Sequence, residues 1–286
     1  MKGAAGAAVR VPRSARVVSK EDVQRFVDDV GFPVVVKPIN QGGSRDVSVV
    51  KESHDLELLD SASWVFDMEV EQYISGDVYH VDAFVDEDLW FASTARYSAP
   101  PLEFLHGSPL AHVLIEPDSD IARRLTEFLS SLLAVMSSPA SSAYHLEVIE
   151  DSRGELWLCE IASRVGGAQI PELVERTYGF SLPAQSMRSA CGLSKTQYPR
   201  FGGRLFTSVI MPSPGAKLAA FPSSLPFEWV DEVRLRRPVG DWFPRSKHSN
   251  DYAACVILHA PSFEVGLSRA GAISAFLREQ VMWAER

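Results

Sequence analysis

Glu147 and Glu160 are the residues best placed by type and spacing to hold a divalent cation between two strands. They lie in Tyr144-His145-Leu146-Glu147-Val148-Ile149-Glu150, then Asp151-Ser152-Arg153-Gly154, then Glu155-Leu156-Trp157-Leu158-Cys159-Glu160-Ile161. Two β-prone runs around a polar turn that ends in glycine predict a hairpin. With the turn at residues 151–154, Glu150 faces Glu155, Glu147 faces Leu158, and Glu160 lies diagonal to Glu147 on the same face. Diagonal neighbours sit roughly 7–8 Å apart at most. Two carboxylates at that separation among Leu, Trp and Ile repel each other, and a hard cation such as Mg2+ relieves the repulsion through oxygen ligands. Arg164-Val165-Gly166-Gly167 follows, a fixed cation on a flexible turn. A metal and an arginine beside one sheet face suit phosphate. The same residues also fit a solvated acidic strand, and a one-residue slip would put the acids on opposite faces. By alternation, Cys159 turns away from the acids as a buried structural thiol.

The elements that must position these groups follow from periodicity and caps. Ser19 caps a helix over residues 20–30 that buries Val23, Phe26, Val27 and Val30 on one face and stops at Gly31. Val34–Lys37 and Val47–Val50 read as strands around Gly42-Gly43-Ser44, Leu56–Leu59 as a short helix and Met68–Tyr73 as a further strand. Tyr79–Val85 and Leu89–Thr94 form another hairpin with Asp86-Glu87-Asp88 in its turn, and residues 98–117 read as a polar loop or lid. Ser119–Ser137 is a strong amphipathic helix with Ile121, Leu125, Phe128, Leu129, Leu132 and Met136 on one face. Helices follow over residues 171–179 and 181–191, then strands Arg204–Met211, Glu228–Leu235 and Ala253–His259, and a closing helix Ser268–Ala284.

The chain as a whole narrows the function. Its 286 residues, 46% hydrophobic and 23% charged, suffice for one large or two small globular domains. A net charge of −9 argues against a nucleic-acid partner. Three cysteines without metal spacing or a disulfide framework point to a reducing cytoplasm. No apolar run is long enough for a membrane span, and arginines at positions 10, 13 and 16 break up the N-terminal stretch as a secretory signal.

Three further stretches carry chemistry. Lys37 ends an apolar strand before Asn40-Gln41-Gly42-Gly43-Ser44, a loop whose glycines let backbone N–H groups approach phosphate oxygens; a plain hairpin turn with a surface lysine fits as well. Glu71-Gln72-Tyr73-Ile74 leaves a strand, exposing backbone groups that suit a purine edge, although any strand end does so. His80 and Asp82 share a strand face, either as a substrate contact or as a solvated polar pair.

In this order the motifs resemble the ATP-grasp superfamily, in particular its carboxylate–amine ligases, over roughly residues 9–195. The matching runs are Gly31–Pro38, Gly42-Gly43-Ser44, Val70–Gly76, Glu147, and Glu160-Ile161-Ala162-Ser163-Arg164-Val165-Gly166-Gly167. The resemblance implies an α+β, ATP-grasp fold: an N-terminal segment 1–16, a small lobe 17–75, a large lobe 76–195 and a C-terminal α+β subdomain 196–286. It implies ATP between the lobes, with Lys37 on the phosphates, Gly42, Gly43 and Ser44 as a flap over them, and the Gln72 carbonyl and Ile74 N–H on adenine, with Glu71 shaping the hinge. Mg2+, or Mn2+ in its place, falls to Glu147 and Glu160, and Arg164 steadies an acyl phosphate. Lys37 and Arg164 are the catalytic residues.

The sequence departs from the pattern at three places. Ala162 stands where the family has a metal-ligating Asn. Val78 stands where a ribose-binding acid is expected, with Asp77 pointing the other way. The sequence starts at Met1-Lys2, after the stretch where the family carries an N-terminal α/β domain and a first basic phosphate contact. The expected function is ATP-dependent joining of a small carboxylate to an amine through an acyl phosphate. The alternatives are an ATP-binding subunit of a split or truncated ligase, and a phosphotransferase that stops at the phosphorylated product. Small-molecule substrates are expected, recognised by Arg96, Tyr97, His106, His112 and the surface near His80. The expected association is a homo-oligomer, or a partner protein that supplies the missing N-terminal domain.

Overall fold

The computed structural model describes all residues except 1–4, 7, 60–66, 88–89, 138, 140, 194–197 and 285–286. Asp88, Leu89 and Met1-Lys2 therefore lie outside the described residues.

The first sheet has four strands in the order β1-β4-β2-β3. They are β1 (Ser14–Val17), β2 (Val34–Pro38), β3 (Ser48–Val50) and β4 (Met68–Gln72). Val-rich runs favour strands because branched side chains pack well on a pleated, half-buried surface. Helix α1 (Lys20–Val30) covers the sheet; the Ser19 hydroxyl accepts from Asp22 N as expected of a cap, and Val23 and Val27 are buried. The short helix α2 spans Ser53–Glu57, slightly earlier than its periodicity indicates. Val23, Val34, Val36, Val50, Met68 and Val70 make this lobe's own core.

The second sheet has eight strands, in the order β12-β13-β10-β7-β6-β5-β8-β9. These are β5 (Gly76–Val85), β6 (Trp90–Tyr97), β7 (Leu110–Leu114), β8 (Ser142–Asp151), β9 (Leu156–Ala162), β10 (Leu205–Met211), β12 (Val230–Leu235) and β13 (Ala254–Ala260). Three of the strands after residue 200, β10, β12 and β13, extend this sheet. A small pair, β11 (Lys217–Ala220) and β14 (Met282–Ala284), lies apart.

Helix α3 (Asp120–Val135) packs on one face of the large sheet, burying Leu125, Phe128, Leu129 and Leu132 against Val81, Leu146 and Val148. Helix α4 (Ile170–Tyr178) covers the other face through Ile170, Leu173 and Val174, followed by α5 (Leu182–Ala190). Helix α6 (Phe263–Gln280) begins five residues earlier than expected and stops before β14, which takes residues assigned from sequence to the helix.

The polar loop expected over 98–117 is a correction. It contains a single 3-10 turn at Pro101–Phe104 and then β7, every residue of which is buried. Strand β7 sits between β6 and β10 and links the two halves of the sheet.

Candidate functional site

The register of β8 and β9 decides where the two acids stand. The Asp151 carboxylate organises the turn: Oδ1 accepts from Arg153 N at 2.9 Å and Glu155 N at 3.0 Å, and Oδ2 accepts from Trp157 Nε1 at 3.1 Å. Asp151 N donates to Glu155 O at 3.0 Å. This closes the turn one residue later than expected, so Glu150 faces Leu156 and Val148 faces Leu158. Continued, that register would put Glu160 on the face opposite to Glu147. A bulge at Cys159 adds one residue and brings Glu160 directly opposite Glu147. The diagonal placement is thus corrected to a direct pair. The bulge also takes Cys159 out of alternation: its thiol is half-buried, 4.0 Å from Glu147 Oε2, on the side of the acids.

Behind Glu147 lies a buried polar network. Tyr97 Oη donates to Glu147 Oε1 at 2.7 Å. His145 places Nε2 3.7 Å from Glu147 Oε1 and Nδ1 2.9 Å from Asp82 Oδ1. Asp82 Oδ2 is 2.6 Å from His80 Nδ1, and His80 Nε2 is 3.4 Å from His112 Nδ1. His80 and Asp82 are 0% and 1% exposed, which corrects the solvated-pair alternative. Tyr97 and His112 lie buried in β6 and β7 instead of on a loop.

This setting drives the carboxyls apart. Burial, and then the charge of Glu147, hold the Glu160 carboxyl well above the usual range, against His145, Lys37 and Arg164. Burial also pushes on Glu147, but His145 outweighs it, with Tyr97 and His80, and holds Glu147 below the usual range. Burial disfavours charge on His145 as well, yet Asp82 and Glu147 overcome it and raise its pKa to about 10. Two facing carboxyls of which one resists ionisation form a donor set that a hard dication fits.

Across the cleft, Lys37 on β2 stands opposite Glu69 on β4. Its Nζ is 2.9 Å from Glu71 and 3.9 Å from Glu69, and donates to Cys159 O at 3.4 Å. The ammonium is thereby aimed from the small sheet toward β9. The Gly42-Gly43-Ser44 loop joins β2 to β3, and its tip touches the C-terminal part of the chain, where Gly43 O accepts from Ser249 N at 3.4 Å. A Cβ at Gly42 would lie 3.5 Å from Arg164 Nη2, so the loop passes over that guanidinium. Lys37, Gly42, Gly43, Ser44, Glu71, Gln72, Ile74, Glu147, Glu160 and Arg164 all line one cleft of about 690 Å3. Val78 lines it too, while Asp77 pairs with Arg96 at 2.8 Å and is half-exposed.

No family model matches the chain. A D-alanine–D-alanine ligase of Wolbachia sp. subsp. Drosophila simulans (strain wRi) is 40% identical over 191 residues, 60% of this chain and 60% of that protein. An L-arginine-specific L-amino acid ligase of Bacillus subtilis is 25% identical over 178 residues, 58% of this chain and 42% of that protein. The chain thus spans between two fifths and three fifths of the length of these relatives. In structure, a carboxyaminoimidazole ribonucleotide synthase from Aspergillus clavatus, complexed with ATP, superposes with a TM-score of 0.70 at 13% identity, covering 97% of this chain and 72% of that one. The chain has the ATP-grasp fold. Its ATP-grasp fold sets a small antiparallel sheet against a large one, with the cleft between them.

The sequence-derived site left out His145, although strand alternation places it on the face of Glu147, two residues along. It also gave no role to Ser249 and Asn250, which meet the flap and the turn after Arg164; Asn250 Oδ1 accepts from Ala168 N at 2.7 Å. No local signal marks that contact, because it joins segments 82 residues apart.

Proposed function

We propose that this ATP-grasp chain binds ATP in the cleft and activates a small carboxylate for amide formation with an amine. The observation that carries the reading is the directly opposed Glu147–Glu160 pair lining one cleft with Arg164, on the turn after β9, and Lys37, from the small sheet. Lys37 Nζ and the backbone of Gly42, Gly43 and Ser44 would hold the phosphates, with the Gln72 carbonyl and Ile74 N–H on adenine and Glu71 fixing Lys37. Glu147 and Glu160 would hold Mg2+, or Mn2+ in its place. That cation supplies charge neutralisation between the phosphates.

The substrate carboxylate oxygen attacks the γ-phosphorus, the bond to the β–γ bridging oxygen breaks, and ADP leaves. The amine nitrogen then attacks the acyl carbon and loses a proton, and phosphate departs with the C–O electron pair. Arg164, on the turn after β9, sits where it can neutralise the acyl phosphate. Catalysis of this kind asks for positioned charge and no protein nucleophile, so Cys159 and Ser44 take no covalent part.

Pools of amino acids and other carboxylates, with and without amines, test the reading by ADP release. Glu160→Gln should lower ADP release by roughly 100-fold or more while the protein stays folded. Unchanged release in that variant would overturn the cation assignment. A second reading follows from the partial coverage of the relatives: an ATP-binding subunit of a split or truncated ligase, completed by a separate domain. Nucleotide binding without ADP release in any pool, restored by adding the separate domain, would favour it.

A further inference from the structure

We propose that His145 is a third protein ligand for the cation held by Glu147 and Glu160, and that the site therefore prefers Mn2+ to Mg2+. This rests on the reading of the two acids as cation ligands and adds a nitrogen donor to them.

Register places the donors together. Glu147 pairs with Glu160, and on the next rung of the same face His145 pairs with Ala162. Ala162 ends at its Cβ, so His145 alone supplies a donor on that rung. Ligand atoms of His145, Glu147 and Glu160 all lie within 4.8 Å of one another. A point between atoms so spaced is about 2.8 Å or less from each, a small relaxation from ligand distances near 2.1 Å.

The imidazole is also held as a ligand would be. Nδ1 lies 2.9 Å from Asp82 Oδ1, and Asp82 is itself fixed at 2.6 Å by His80. A ligating histidine characteristically gives its other ring N–H to a carboxylate, which sets the tautomer and aims the free nitrogen. Here that leaves Nε2 directed at the acids. The ring is 4% exposed and closed in by Gly166, where an added Cβ would lie 3.1 Å from Nδ1, so it cannot swing away. A mixed imidazole–carboxylate set shifts affinity from Mg2+, which takes oxygen ligands almost exclusively, toward first-row transition dications.

Pulsed EPR of the whole chain with Mn2+ and ADP tests this directly. Nitrogen modulation on Mn2+ should change from the 14N to the 15N pattern when histidine alone is 15N-labelled, and should vanish in His145→Gln. In competition titrations, native protein should need at least a tenfold excess of Mg2+ to displace Mn2+, and His145→Gln should narrow that excess severalfold. Mn2+ bound by native protein and lost in Glu160→Gln, but without a histidine signal, would overturn the proposal and leave the two acids as ligands. Mn2+ binding unaffected by Glu160→Gln would overturn both.

Discussion

Replacing Gly166 with alanine should destabilise the fold by about 2–3 kcal/mol, because the methyl group enters the buried network behind the acids. A Cβ at Gly166 falls 2.2 Å from Asp82 Oδ1, 3.1 Å from His145 Nδ1 and 3.2 Å from Ile170 Cγ2. Carbon–oxygen contacts normally begin near 3.3 Å, so the carboxylate would have to retreat by about 1 Å. It has nowhere to go: Asp82 is 1% exposed and is held at 2.6 Å by His80 and 2.9 Å by His145. Giving up one hydrogen bond to a charged group costs about 1.5–3 kcal/mol, and pushing the turn outward instead costs about 1–3 kcal/mol. These are alternative routes and do not add. The φ of Gly166 lies outside the left-handed region, so alanine brings no backbone strain, and the effect isolates packing. Gly167→Ala is the control. Its nearest neighbours are the side-chain amide atoms of Asn250 at 3.3 and 3.4 Å, which can shift, and the change should stay within about 0.5 kcal/mol. Urea titration followed by tryptophan fluorescence reads both variants; the thermal midpoint of Gly166→Ala should fall by about 3–5 °C. Equal stabilities for the two variants would refute the fixed position of Asp82.

Three other perturbations probe the cleft. Lys37→Met keeps the stem but takes the ammonium from Glu71, 5% exposed, and should weaken nucleotide binding at least tenfold in a fluorescent-ADP titration; native-like affinity would remove Lys37 from the phosphate site. Tyr97→Phe deletes the 2.7 Å donor to Glu147 and should cost about 1–2 kcal/mol in urea unfolding and severalfold in Mn2+ affinity by calorimetry; no change in either would show that the hydrogen bond does not position Glu147. Burial and the charge of Glu147 hold Glu160 above the usual carboxylate range, so its protonated form persists to higher pH and competes with the cation. Mn2+ affinity should therefore fall as pH falls: ligation by Nε2 releases the proton held on His145, about tenfold per unit, and below the raised pKa of Glu160 the slope steepens toward about a hundredfold per unit. A flat Mn2+ titration between about pH 5.5 and 8 would contradict that competition.

Much of this architecture is visible in the sequence because it is local. Ser19 caps α1, a run of three valines makes β2, and the apolar stripe Leu125, Phe128, Leu129 and Leu132 makes α3. The strand β7 was hidden because His112 interrupts its apolar run and prolines and a glycine lie just upstream, which is how a loop is composed. Its burial depends on neighbours supplied by β10, almost a hundred residues later. His80 and Asp82 read as solvated because a charged pair on a strand usually is. Here the rings of Tyr97, His112 and His145 pack around His80, and the Gly166 turn closes over Asp82.

The acids show most clearly where local reasoning ends. Strand alternation specifies only the parity of a side chain, and parity in a hairpin depends on the turn. Here Asp151 draws Arg153 and Glu155 into the turn and shifts the register by one, which alone would have separated Glu147 from Glu160. The bulge at Cys159 shifts it by one again and restores the shared face. Neither displacement is marked in the sequence, and each undoes the other's effect on parity. Together they turn a diagonal neighbour into a direct partner and bring the Cys159 thiol to the acids. They also set His145 across from Ala162, on the rung where a third donor to the cation would have to stand.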